Sequence, residues 1–169
     1  IGEELARQLH ARGARLVLAA RRLDRLQSLS DQLGGQHLTV EADVAKREDC
    51  ERLINESFNA FSRIDTLVLN AGFGLYPRVH ETTPEQTRQL FATNVFGTTD
   101  CIHYAIPRLL QQPERDGYKA QVMIVSSAAA RRGVPFLGVY SATKSAQLSI
   151  AEAMRVELAP QKVAVTSVH

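Results

Sequence analysis

The chain has 169 residues, 44% of them hydrophobic and 22% charged, a size suited to one globular domain that buries roughly 70% of its unfolded surface. Twenty basic against eighteen acidic residues leave a formal charge of +2, too balanced for the electrostatic footprint of a nucleic-acid binder. No apolar stretch approaches the ~18 residues of a membrane span. Cys50 and Cys101 lie far apart with neither CxxC nor Cys/His ligand spacing, so no metal site is expected, only buried thiols in a reducing cytoplasm. The sequence opens at Ile1 inside a helical pattern and stops at His169 straight after an apolar run, and it reads as the middle of a longer protein.

Hydrophobic period divides the chain into alternating helices and short strands. Ile1, Leu5 and Leu9 mark a helix to about Arg12, closed by Gly13. Arg15–Ala20 reads as a strand, Leu23–Leu33 as a helix ending at Gly34-Gly35, and His37–Glu41 as a short strand. A helix over Lys46–Ser62 carries Leu53, Ile54, Phe58 and Phe61 on one side. The apolar run Asp65–Leu69 is the next strand, and a loop follows over Asn70–Thr82. Thr83 then offers an N-cap, Pro84 a first helical residue and Gln86 the partner of a capping box, starting a helix to about Leu110. Gln121–Val125 is a strand, Ser126–Gly138 a loop, Val139–Ala159 a helix and Val163–Val168 a final strand.

Apolar strands separated by helices predict an α/β fold, a doubly wound parallel sheet with right-handed crossovers. Such sheets bind ligands beyond the carboxyl ends of their strands. Chemistry is therefore expected at Arg21-Arg22, Asp43-Val44, Asn70–Gly74 and Ser126–Arg132. Tyr140 and Lys144 open the helix behind the Ser127 loop and share one face at i, i+4, so the ammonium can reach the phenol. A phenol acts as an acid or base near neutrality only if its pKa falls from about 10, which a neighbouring cation promotes.

At these residues the chain resembles the short-chain dehydrogenase/reductase family, in its compact single-domain branch. The matching pieces are NAG (Asn70–Gly72), NVFG (Asn94–Gly97), IVSS (Ile124–Ser127), YSATK (Tyr140–Lys144) and ADV (Ala42–Val44). Ser127 stands thirteen residues before Tyr140, as the family's serine does. The similarity runs over residues 1–169, a single Rossmann-type domain. It implies that the first strand and most of the glycine-rich turn precede Ile1-Gly2, and that the substrate loop and last strand follow His169. The first strand would lie between the strands at 15–20 and 65–69. One departure is Leu69, where many relatives carry a second Asn tied to sheet stability.

The resemblance implies an oxidoreductase that moves a hydride between a nicotinamide and a carbonyl or alcohol carbon. Tyr140 is then the general acid/base, Lys144 lowers its pKa and binds the ribose hydroxyls, and Ser127 hydrogen-bonds the substrate oxygen. Asn94 is implied to hold a water linking Lys144 to solvent; the alternative is a mid-helix Asn bonded to its own backbone. For the cofactor, Gly2 is implied at the pyrophosphate and Asp43 with Val44 at the adenine. Asn70, Ala71 and Gly72 pass under the adenosine ribose.

A NAD enzyme wants a carboxylate at the end of the second strand, whereas this one ends in Arg21-Arg22. Guanidinium groups pair with a 2′-phosphate, so NADP(H) is expected over NAD(H); the alternative is a solvated helix start. Phe73, Leu75, Val134, Phe136 and Leu137 are either a substrate wall or plain loop packing, and Arg131-Arg132 either meet an acidic substrate or form a solvated pair. A homodimer or homotetramer follows by analogy with the family.

Two other functions compete: a non-catalytic NADP(H)-binding sensor of the same fold, and an epimerase or dehydratase sharing the Tyr/Lys pair. A sensor has no need of Ser127, Tyr140, Lys144 and Asn94 together.

Overall fold

The computed structural model describes residues 1–169, and its elements follow the expected order. They are α1 (Gly2–Ala11), β1 (Val17–Ala20), α2 (Leu23–Gln32), β2 (Leu38–Glu41), α3 (Arg47–Phe61), β3 (Thr66–Leu69), α4 (Pro84–Phe91), α5 (Gly97–Gln111), β4 (Ala120–Val125), α6 (Gly138–Leu158) and β5 (Val163–Val168). The capping box forms as the residue types dictate. Gln86 N donates to Thr83 Oγ1 at 3.2 Å and Thr83 N donates to Gln86 Oε1 at 3.0 Å, with Pro84 at the first helical position.

Every strand pair is parallel, in two groups. β1 pairs with β2 from Val17↔Leu38 to Ala20↔Glu41, and β4 lies between β3 and β5. The main core lies between these last three strands and α3, α5 and α6. Val122, Ile124, Leu109, Ala105 and Ala151 are wholly buried there. Cys50 and Cys101 are free thiols in this same core. A second, smaller cluster of Ala6, Leu16, Leu18, Leu26, Leu29 and Leu33 holds α1 and α2 to β1.

The inner edges of β1 and β3 carry no strand partner, and Ala19 and Ala20 are exposed in a strand whose sequence is that of a buried one. Unpaired parallel edges leave backbone donors and acceptors without partners. Residues 1–169 produced alone are therefore expected to lack a cooperative thermal transition. A sharp melt of that polypeptide, followed by circular dichroism, would show that the open edges are tolerated.

The expected single helix over 84–110 is continuous but not uniform. Between α4 and α5 the chain makes one π turn, Ala92–Phe96. Such turns add a residue and recur where a helix serves a functional site. Just after it, Gly97 lies so close to β2's following loop that a Cβ would stand 2.6 Å from the Val44 carbonyl oxygen. Only glycine lets α5 approach Val44 this way.

Candidate functional site

Four segments meet at the carboxyl ends of the strands: the N-terminus of α1, the loop after β3, the π turn, and the start of α6. The loop after β3 is their common neighbour. A Cβ at Gly2 would stand 2.9 Å from Asn70 Nδ2, so the start of α1 lies against Asn70. A Cβ at Gly72 would stand 3.1 Å from Asn94 Oδ1 and 3.4 Å from Lys144 Nζ. Two residues on, Gly74 lies against the Tyr140 ring, with a Cβ 3.3 Å from its edge. The loop Asn70–Gly74 thus runs past Gly2, Asn94, Lys144 and Tyr140 in turn. Its Ala71 and Gly72 are exposed.

Asn94 is fully buried and fixes this loop. Its Nδ2 donates to the Phe73 carbonyl at 2.9 Å and to Thr143 Oγ1 at 3.0 Å, while its Oδ1 accepts from Phe73 N at 3.1 Å. A mid-helix Asn bonded to its own backbone is therefore not what forms: all three side-chain bonds leave the helix. Thr143 in turn donates to the Tyr140 carbonyl at 2.7 Å, which carries the linkage from loop to π turn to α6.

Lys144 is 4% exposed. Its ammonium donates to the Val125 carbonyl and to Gln147 Oε1, both at 2.9 Å, and lies 5.7 Å from the centroid of the Tyr140 ring. Burial holds its pKa below the ordinary lysine value, because a desolvated ammonium is disfavoured. Tyr140 itself is half-buried at the start of α6.

The two serines after β4 divide their work. Ser126 Oγ donates to the Lys144 carbonyl at 3.0 Å and fastens the strand end to α6. Ser127 is half-buried, and its Oγ accepts from Ala129 N at 3.2 Å, capping a 3₁₀ turn over Ala128–Ala130. Ser145 Oγ donates to the Ala130 carbonyl at 2.7 Å and holds that turn against α6.

The β1–β2 side forms a polar groove lined by Arg21, Glu41, Asp43, Lys46, Asp49 and Arg52. Asp43 is fixed at both ends: its N–H donates to Asp49 Oδ2 at 2.9 Å and its Oδ1 accepts from Ala45 N at 3.1 Å. That backbone bond, with the Arg52 guanidinium beside it, holds the Asp49 carboxyl below the usual carboxylate range. Arg21 and Arg22 are both exposed, Arg21 in the groove and Arg22 at the N-cap of α2. Lys46, at the N-cap of α3, and Arg52, paired with Asp49, add two cations that no sequence motif marks.

A cofactor fit can be judged from these groups. At Gly2 and Gly72 a Cβ would press on Asn70 and on Asn94, so glycine keeps the backbone bare where these segments meet, and Gly2 opens a helix of ten residues whose N-terminal N–H groups suit an anion. The groove sets Arg21, Lys46 and Arg52 among the carboxylates of Glu41, Asp43 and Asp49, with Arg52 paired to Asp49. The residues suit a dinucleotide.

The family model for short chain dehydrogenase matches residues 1–169. The chain belongs to the short-chain dehydrogenases. Its relatives include the 11-beta-hydroxysteroid dehydrogenase-like 4A protein of Arabidopsis thaliana, 37% identical over 95% of this chain and 54% of its own length. Among solved structures, a 3-ketoacyl-(acyl-carrier-protein) reductase from Brucella melitensis complexed with NADH is 28% identical. It superposes with a TM-score of 0.88 over 98% of this chain and 67% of its own. An alcohol dehydrogenase from Thermococcus sibiricus complexed with 5-hydroxy-NADP is 26% identical, with a TM-score of 0.87 over 97% and 68%. This short-chain dehydrogenase spans about half the length of the curated relatives it matches. Its fold is the Rossmann-type sheet of those neighbours, and its family is one of oxidoreductases. None of its helices is long and apolar enough to cross a membrane.

Proposed function

We propose that residues 1–169 form the dinucleotide-binding and catalytic part of an NADP(H)-dependent oxidoreductase acting on a small carbonyl or alcohol. The observation that carries this reading is the convergence of Tyr140, Lys144 and Asn94 on the glycines of one loop, Gly72 and Gly74. Bound there, a nicotinamide cofactor supplies or accepts the hydride. Tyr140 gives a proton to the substrate oxygen or takes one from it. Lys144 keeps a positive charge beside the phenol and offers donors to the cofactor ribose. Ser127 donates to the substrate oxygen with the hydroxyl proton that its bond from Ala129 N leaves free. Gly2 receives the pyrophosphate, Asp43 and Val44 the adenine, and Asn70, Ala71 and Gly72 the adenosine ribose.

The substrate is proposed to be an apolar alcohol or ketone. Tyr76, Val79 and Phe136 are exposed by 74%, 64% and 55%, and Val79 lies against Gly138 at the start of α6. Phe136 holds a left-handed backbone with φ of 62°, a conformation costly for a bulky residue and common near functional sites. Relatives named for hydroxysteroids support the same substrate class. We also propose a homodimer or homotetramer, by analogy with the family. The cytoplasm is the proposed compartment, on the two free thiols.

The cofactor preference rests on Arg21 in the polar groove and Arg22 at the N-cap of α2; Lys46 and Arg52 share the groove with Arg21, beside Glu41, Asp43 and Asp49. NADPH is expected to bind the full-length protein at least tenfold more tightly than NADH, about 1.4 kcal/mol. Titration calorimetry under identical salt checks it, and Arg21→Ala with Arg22→Ala is expected to erase the difference. Equal affinities in the unaltered protein would mean that the arginines do not meet a 2′-phosphate. Binding of neither cofactor would favour a degenerate relative over an enzyme.

A further inference from the structure

Gln147 is wholly buried in α6, one turn beyond Lys144, on the stripe Lys144, Gln147, Ala151, Met154, Leu158 that faces the core. An amide in such a place is costly unless both of its ends find partners. Both do. Nε2 lies 2.8 Å from Thr98 Oγ1, and Oε1 lies 2.9 Å from Lys144 Nζ. The orientation is forced by proton counting. Thr98 spends its single hydroxyl proton on the Asn94 carbonyl at 2.9 Å, so toward Gln147 it can only accept. The amide nitrogen must therefore face Thr98, which leaves the amide oxygen for the ammonium.

No group of opposite charge pairs with that ammonium. No ion pair of the chain includes Lys144, and Tyr140, on its own helix, is the titratable group beside it. Its two partners are a strand carbonyl, fixed by β4, and the oxygen of Gln147. The strand carbonyl is set by the fold; the glutamine is a choice of side chain.

We propose that Gln147 is a positioning residue for Lys144: anchored by Thr98 to the end of the π turn, it keeps the buried ammonium charged and held at the Tyr140 side of the site. This rests on the oxidoreductase reading for its purpose, but not for its geometry. The device ties the lysine to the same helix junction that Asn94 uses to fix the loop after β3. One junction then sets both the cofactor-facing loop and the charge beside the phenol.

The test reads the lysine directly. In the full-length protein labelled with ¹³C-lysine, the Lys144 Cε signal, assigned by its loss in Lys144→Arg, is titrated by NMR. Gln147→Met keeps the side-chain length and removes the acceptor. It is expected to lower the Lys144 midpoint by about one pH unit, the worth of one hydrogen bond to a charged group. Thr98→Val, which frees the amide without touching Lys144, is expected to lower it by less, and Thr98→Ser to restore it. A folded Gln147→Met protein with an unmoved or raised midpoint overturns the proposal. If that variant does not fold, Thr98→Val and Thr98→Ser decide, and equal midpoints in the two overturn it. Packing alone would alter the melting temperature and leave the midpoint in place. Unaltered protein that shows no turnover with NADPH and a panel of ketones counts against the oxidoreductase reading alone, since the titration needs no substrate.

Discussion

Tyr140→Phe is expected to cut turnover by about 10²- to 10⁴-fold, the range that a positioned proton donor contributes. The substitution removes one oxygen and keeps the ring. The contacts of that ring with Gly74, and the place of the Lys144 ammonium near its centroid, are retained. The hydrogen bonds that fix this part of α6 use the Tyr140 carbonyl and the Lys144 main and side chains, not the phenol. Melting temperature and cofactor affinity are therefore expected to stay close to those of the unaltered protein. The loss should fall on kcat with little change in KM, because a proton donor acts in the transition state more than in the ground state. Steady-state kinetics beside cofactor titration checks all three quantities. Retained turnover with intact binding would place the proton donor elsewhere, and equal loss of binding and turnover would make the residue structural.

The sequence and the structure agree where the controlling interactions are local. β3, β4 and β5 are legible because apolar residues predominate along them, and the start of α4 because its capping box lies within four residues. Boundaries move by one or two residues, as at β1, which begins at Val17 and not Arg15. The π turn is illegible for a definite reason. Leu90, Asn94, Thr98, Cys101, Ala105 and Leu109 keep ordinary spacings of three and four through it, and the additional buried residues Val95 and Gly97 only widen that stripe.

The site divides the same way. Tyr140 and Lys144 are legible as an i, i+4 pair at a helix start. Their surroundings are not, because the partners are distant in sequence: Phe73 is 21 residues from Asn94, and Thr143 is 49 away. Gln147 did leave a trace, since a polar side chain on a stripe of core positions must find a partner. Sequence alone names neither Thr98 nor Lys144 as that partner. Lys46 and Arg52 are similar, an ordinary helix-start charge and a helix-face charge until the fold brings them beside Arg21 and Asp43.

Asn94→Ala gives the sharpest contrast between local propensity and tertiary contact, because the two predict opposite signs. In a helix considered alone, alanine is the better residue by roughly 0.5 kcal/mol, and the change would stabilise. In this fold Asn94 makes three side-chain hydrogen bonds, each worth about 1 kcal/mol net, and two of them satisfy the N–H and carbonyl of Phe73. Alanine would leave those groups and Thr143 Oγ1 short of partners and open a cavity at a fully buried position. The expected result in the full-length protein is a loss of about 3 kcal/mol, or roughly 6–12 °C in Tm. Asn94→Asp should fare no better. A carboxylate can accept from Phe73 N, but it turns an acceptor toward the Phe73 carbonyl and toward Thr143, whose own proton is already given to Tyr140. Because the same bonds hold Gly72 against Lys144, cofactor affinity should fall along with stability in both variants. Thermal unfolding with and without NADPH checks this, and an Asn94→Ala protein that melts at or above the original temperature would show that helix propensity, not the loop it secures, governs the position.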